Sequence, residues 1–226
     1  MGQTSDMAVK LRDDFDSRRE LESTSDDIEQ NRWRGPFNAW FFTTFDRYIN
    51  YISSPNKDVA FDRLTGSTIL EIGSGVGANL AYVPSGAKLI AIEPNEAMHD
   101  RLRQRSASAR VELEIVTTSA SSIPLADSSI DDVICSLVLC TVEHPAATLA
   151  EVRRVLRPGG RFRFVEHVIA PNRGPRRLIQ RILRRPWSWV FEGCQLDRDT
   201  AKLLDEAGFT TVTTSRRKPR MSIFWP

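Results

Sequence analysis

The stretch Ile69-Leu70-Glu71-Ile72-Gly73-Ser74-Gly75-Val76-Gly77 constrains the fold of this chain more than any other. An apolar run runs directly into three glycines at alternate positions, which calls for a buried strand, a tight turn and the start of a helix. Glycine lets the turn close and lets a ligand approach the backbone without meeting a Cβ. In open α/β sheets such a turn lies beyond the carboxyl end of a strand, where ligands bind at the point of strand-order reversal. The spacing is Gly-x-Gly-x-Gly. The dinucleotide fingerprint Gly-x-Gly-x-x-Gly, which sets a pyrophosphate against a helix N-terminus, would place its third glycine one residue later.

The rest of the chain repeats the alternation that this turn demands. Strands are expected at Thr68–Ile72, Lys88–Glu93, Glu112–Thr117, Asp132–Leu139 and Arg161–His167. Between them lie helical stretches that open at Gly77–Tyr82, Asn95–Arg105 and Pro145–Leu156. Strands apolar enough to be buried on both faces, each followed by a helix, imply a parallel sheet covered on both sides. Arg157-Pro158-Gly159-Gly160 stops a helix and turns into the next strand. A helix over Thr200–Ala207 and two further strands, Phe209–Thr214 and Met221–Trp225, complete the expected fold. That fold is α/β, doubly wound, a mostly parallel seven-stranded sheet with helices on both faces.

Residues 1–32 are polar, rich in Asp, Glu, Ser and Arg, and too poor in apolar residues to form a core. They read as a solvated, partly disordered arm before a single domain over 33–226. That domain opens on an aromatic helix, 36–53, in which Phe37, Trp40, Phe41, Phe42, Phe45, Tyr48, Ile49 and Ile52 recur at three- and four-residue steps. Packing against the domain is the plainer explanation of that stripe; direct contact with a substrate is the other. Hydrophobic content of 41% with 27% charged residues is that of a soluble globular chain, and no apolar run approaches the ~20 residues of a membrane span. The N-terminus lacks the apolar region of a secretory signal, so a cytoplasmic protein is expected. Cys135, Cys140 and Cys194 are odd in number and lack paired metal-ligand spacing, so no metal site is expected.

The glycine spacing, with Glu71 two residues before Gly73, resembles motif I of the class I S-adenosylmethionine-dependent methyltransferases. A second acid belongs at the end of the second strand, where it accepts hydrogen bonds from ribose hydroxyls, and Glu93 stands there, twenty residues after Gly73. The segment Ser119-Ala120-Ser121-Ser122-Ile123-Pro124-Leu125-Ala126-Asp127 and the turn Leu156-Arg157-Pro158-Gly159-Gly160 are similar to later family motifs. The resemblance covers about residues 65–168. It implies a Rossmann-like methyltransferase fold and S-adenosyl-L-methionine as cofactor, held by Glu71, Gly73, Ser74, Gly75, Gly77, Asn79, Glu93, Pro94, Ser119, Ala120, Ser136 and Leu137. One departure bears on the adenine end: many relatives carry an acid where Ser119 stands.

From Leu137 to Leu196 the chain resembles a narrower group, the methyltransferase-like thiol S-methyltransferases. Leu137-Val138-Leu139-Cys140-Thr141-Val142, Phe164-Val165-Glu166-His167-Val168 and Phe191-Glu192-Gly193-Cys194-Gln195-Leu196 carry that likeness. It implies a small-molecule acceptor, preferably a thiol, whose low pKa supplies thiolate near neutrality. His167, Glu166 and His144 are the candidate catalytic or orienting groups beside it, each with a structural explanation also open. Cys140 and Cys194 read better as small apolar fillers than as nucleophiles. N- or O-methylation of a lipid or quinone-like acceptor, and a non-catalytic S-adenosylmethionine-binding module, remain alternatives. An insertion over 171–192 carries, from Pro171 to Trp189, six arginines and no acid, interleaved with Leu178, Ile179, Ile182, Leu183, Trp187 and Trp189. It reads as a lid over the acceptor, with peripheral membrane contact through 173–190 as the alternative. A net charge of +2, no separate recognition domain and no Asn-Pro-Pro-aromatic tetrapeptide argue against a nucleic-acid substrate.

Overall fold

The computed structural model describes residues 34–62, 64–166, 175–191 and 193–215. The polar arm, His167 and the strand expected at Met221–Trp225 lie outside the described residues. Five parallel strands form one sheet: β1 (Thr68–Ile72), β2 (Lys88–Ile92), β3 (Glu112–Val116), β4 (Ile130–Ser136) and β5 (Leu156–Val165), in the order β3-β2-β1-β4-β5. The order reverses between β1 and β4, so the crevice beyond their carboxyl ends is the switch point of a doubly wound sheet. No strand forms over 209–214, and among the described residues the sheet has five strands, not seven.

Both faces of this sheet are buried, which is why its strands read as unbroken apolar runs. Leu70, Ile72, Ile90, Ile92, Val133 and Cys135 point to one face and pack with Leu149, Val152 and Val155 of α4 (Pro145–Val155) and Leu204 of α6 (Thr200–Glu206). Ile69, Leu89, Ala91 and Ile134 alternate to the other face and meet Phe61, Leu80 and Leu102. Leu102 lies on α3 (His99–Ala109), which follows a short 3-10 turn, Glu96–Met98.

Local chemistry sets the helix ends. Asn95 Oδ1 accepts the backbone N–H of Ala97 at 3.1 Å and starts the turn into α3, whose last residue is followed by Arg110 in the left-handed region. Pro145 occupies the first turn of α4, where its missing N–H costs nothing, and Asp199 accepts the N–H of Lys202 at 3.2 Å to cap α6. The segment expected to turn at Arg157–Gly160 belongs to β5. Ile130 pairs with Leu156 and Asp132 with Arg161, so the strand bulges through these residues, with Gly159 at φ +82°.

The aromatic helix expected at 36–53 is two helices. α1 occupies 34–44, the chain bends at Phe45, and α2 runs from Asp46 to Ala60, past Pro55. Proline removes the N–H that would bond Tyr51 O, and the Ser54 hydroxyl donates to that carbonyl at 3.3 Å instead. The insertion after β5 contains α5 (Pro175–Val190), and α1 meets its end: Asn38 Nδ2 donates to Val190 O at 3.2 Å, and Phe41 packs on Phe191 with ring centres 5.3 Å apart.

Candidate active site

The glycine loop sits at the carboxyl end of β1. Gly73, Gly75 and Gly77 all have positive φ (65°, 53° and 80°), a conformation that disfavours any other residue. Their surroundings differ. A Cβ at Gly73 would lie 2.4 Å from Val138 Cγ2, so the turn after β4 presses against this glycine; one at Gly77 would lie 2.7 Å from Leu80 Cδ1. At Gly75 a Cβ would come within 4 Å of Met98 Sδ alone, at 3.6 Å, so this position opens on the cleft.

Two carboxylates flank the loop. Glu71 is fully buried and Oε1 accepts the Asn79 amide at 2.7 Å. Burial pushes its pKa up to about 7, against the opposing pull of Asn79, of the Ser74 hydroxyl and of the Lys57 ammonium. Glu93 ends β2; its Oε2 accepts the Gly75 N–H at 2.7 Å and its Oε1 the Asn95 N–H at 2.8 Å. Burial raises the Glu93 pKa despite these donors. The first acid therefore braces the loop from beneath and the second ties it to the neighbouring strand.

Elements distant in sequence close the site. Asn95 Nδ2 donates to Gly35 O at 3.0 Å, and Ala39 of α1 packs with Val76 of the glycine loop and Met98, so α1 covers the outer edge of the loop. Arg105 of α3 pairs with Asp46 of α2 at 2.5 Å and donates to Val76 O at 3.1 Å. Lys57, buried on α2, reaches Asn50 Oδ1 at 3.2 Å; burial brings its pKa down to about 8, with Glu71 and Asp46 opposing the shift. Asp46, Lys57, Asn95 and Arg105 carry no motif, and the Asp46–Arg105 pairing, 59 positions apart, has no sequence signal.

On the other side of the crevice β4 ends at Ser136, earlier than the expected Leu139, because Leu137 turns into the left-handed region at φ +61°. Glu166, at the end of β5, holds this turn: its carboxylate accepts the N–H groups of Val138 and Leu139 at 2.9 Å each and of Cys140 at 3.3 Å. Arg198 binds the opposite pole, donating to Leu139 O at 2.5 Å and Val142 O at 2.6 Å. Cys140 and Cys194 are buried thiols with Sγ atoms 3.4 Å apart. The bond to Cys194 and burial raise the Cys140 pKa well above the usual thiol value.

Of the residues expected at the site, Glu71, Gly73–Gly77, Asn79 and Glu93 form one connected cradle. Pro94 is exposed beside Glu93, and Ser136 and Leu137 lie across the crevice. Ser119 follows β3 with its hydroxyl 2.9 Å from that of Ser121, and Ala120 is buried in the core. Glu166 is taken up by three backbone donors and the Cys135 thiol at 3.3 Å, and His144 is exposed at the start of α4 without capping it.

A methyltransferase-domain family matches residues 70–164. The sheet order, the glycine cradle and its paired acids define a class, and the chain belongs to the class I S-adenosylmethionine-dependent methyltransferases. Within it, the chain is 37% identical over 163 residues to thiol S-methyltransferase TMT1B of Homo sapiens, covering 69% of this chain and 67% of that protein. It is 40% identical over 155 residues to TMT1B of Rattus norvegicus, covering 67% and 64% respectively, so the match spans less than two thirds of the rat protein's length. A chain of the complex between the Haloferax volcanii Trm112 methyltransferase activator and a methyltransferase has the same fold, with TM-score 0.59 at 19% identity, over 76% of this chain and 75% of that one.

The residues fit the cofactor of this class. Asn79 Oδ1 is buried without a hydrogen-bond partner among the described residues, and Glu71 Oε2 and Ser74 Oγ find none beyond the pull of the Ser74 hydroxyl on the Glu71 carboxyl. An unmet buried polar group costs about 1–3 kcal/mol, so such groups around one loop suit a ligand that brings its own polar groups. Gly75 leaves open space on the same side. A carboxylate has about four acceptor positions, so Glu93 can take ribose hydroxyls beyond its two backbone donors.

Proposed function

We propose that this chain methylates the sulfur of a small thiol. The observation that carries the acceptor is the likeness to thiol S-methyltransferases, 37% identical over 163 residues and 40% over 155. When bound, S-adenosylmethionine supplies an electrophilic methyl on a sulfonium. The acceptor thiolate forms the new S–C bond as the sulfonium S–C bond breaks, S-adenosylhomocysteine leaves, and the thiol proton goes to solvent.

In this reading Glu71, Ser74 and Asn79 receive the methionine end, Glu93 the ribose, and the segment at Ser119 and Ala120 the adenine edge. The chain's own contribution to the step is position and exclusion of water. Glu166 is a positioning residue: it fixes the turn that faces the methyl group and spends its carboxylate doing so. A thiol of pKa near ~8.5 needs little help to ionise, which suits an acceptor side without a committed base among the described residues.

The test is a labelled-methyl assay with S-adenosylmethionine and a panel of 2-mercaptoethanol, an alkyl thiol, an amine and a phenol. Label on the thiols supports the proposal. Label confined to the amine or phenol overturns it, and binding of S-adenosylhomocysteine with no transfer to any acceptor replaces it with a binding module.

A further inference from the structure

Two joined helices, α5 and α1, are inverted. On α5 the residue turned fully inward is polar, Gln180, at 4% exposure, with Trp187 beside it on the same face, packed on Phe191. Leu178, Ile182 and Trp189, spaced four and seven residues apart, form one stripe on the opposite side of the helix. They are 49%, 64% and 70% exposed. Arg181 and Arg185 line one flank of that stripe and face solvent, while Ile179 and Leu183 widen it on the other flank. Arg184, further round, reaches Asp197 at 3.6 Å. An amphipathic helix in a water-soluble core buries its apolar face; this one presents it.

α1 repeats the pattern. Asn38 is fully buried, bonded to Arg34 O and Val190 O, and Ala39 sits beside it. Phe37, Trp40 and Phe45 face outward as a ring cluster, with centres 5.9 Å apart for the first pair and 6.5 Å for the second. Tyr48 and Tyr51 continue the exposed aromatics along α2. The two helices are tied together at one end by Asn38 to Val190 O and Arg34 to Trp189 O, so their apolar faces belong to one surface.

We propose that this surface docks on an anionic lipid bilayer. Three features select that partner. Aliphatic residues and Trp189 form the stripe, Trp40, Tyr48 and Tyr51 are exposed beside it, and the charge that flanks the stripe on α5 is basic, Arg181 and Arg185. An acidic peptide would meet the arginines but leave the aliphatic stripe in water. α5 would lie in the membrane plane, with Leu178, Ile182 and Trp189 in the acyl boundary and Arg181 and Arg185 on headgroup phosphates. No helix among the described residues is long and apolar enough to cross a membrane, so the contact is superficial. The inference stands apart from the identity of the acceptor.

The test is flotation of the full chain with phosphatidylcholine vesicles, with and without phosphatidylserine. The chain floats with the anionic vesicles, and salt releases it. Ile182→Asp and the pair Arg181→Glu/Arg185→Glu each weaken association at least about tenfold, with S-adenosylhomocysteine affinity unchanged as the control for folding. No flotation, or flotation indifferent to both variants, overturns the proposal. So does a dimer in solution that Ile182→Asp dissociates, since a second copy would then be the partner of this face.

Discussion

At the scale of residues, the site turns on side chains whose charge is costly where they sit. Glu71 is buried at the loop with one oxygen unmet beyond the pull of the Ser74 hydroxyl, and Glu93 spends two acceptor positions holding Gly75 and Asn95. Gly75→Val should abolish S-adenosylhomocysteine binding in a calorimetric titration, because the new side chain enters the open side of the loop from a φ that valine resists. Wild-type affinity would show that the ligand lies elsewhere. Glu93→Ala should weaken binding by about 1.5–3 kcal/mol, the range for a hydrogen bond to a charged group. An unchanged dissociation constant would assign the ribose to another residue. The Glu71 shift has a sign that stability measurements can read. Its pKa rises from 4.5 to about 7 on folding, so between those values the native state binds more protons than the unfolded chain. Stability of the ligand-free protein should therefore fall as pH rises through that window, by up to about 3 kcal/mol, and the rise in Glu93 acts in the same direction. Urea unfolding at a series of pH values checks this; stability that climbs from pH 4.5 to 7 would contradict an acid whose burial outweighs its partners.

At the scale of elements, the turn after β4 is the most constrained part of the acceptor side. Leu137 adopts a left-handed conformation that leucine disfavours, and the turn persists because Glu166 takes its N–H groups while Arg198 takes its carbonyls. The two side chains act as a clamp across 137–142, fixing a loop whose own sequence does not favour its shape. Glu166→Ala releases three backbone donors at once. The expected result is a large fall in kcat with the S-adenosylhomocysteine dissociation constant nearly unchanged, and partial recovery in Glu166→Gln, whose carbonyl can still accept. A loss carried by cofactor affinity alone would place Glu166 on the nucleoside instead.

At the scale of the whole molecule, the crevice exists because the strand order reverses between β1 and β4, and α1, which lies against the glycine loop, is tied to the end of α5. Bound S-adenosylhomocysteine should slow hydrogen exchange at 73–77, at 95–98 and in α1 (34–44), which is tied to Asn95. It should leave the bulge at 157–160 unaffected, since that lies at the amino end of the sheet. Protection confined to the loop would separate α1 from the site. Much of this arrangement was legible beforehand. Burial on both faces makes each strand an apolar run, and only glycine tolerates the loop's positive φ, so β1 to β5 and the loop could be read from residue type and spacing, while Glu71 and Glu93 were marked by the family resemblance. The bend at Phe45 could not, because nothing local forbids a continuous helix there. Nor could the clamp of Glu166 and Arg198, the pairing of Asp46 with Arg105, the burial of Lys57 or the outward apolar faces of α1 and α5. The order and spacing of residue types determine that a helix is amphipathic and that a loop must be glycine. Which face meets the core, and which distant charge meets a loop's unpaired N–H, depends on long-range packing, and the tertiary structure alone decided those.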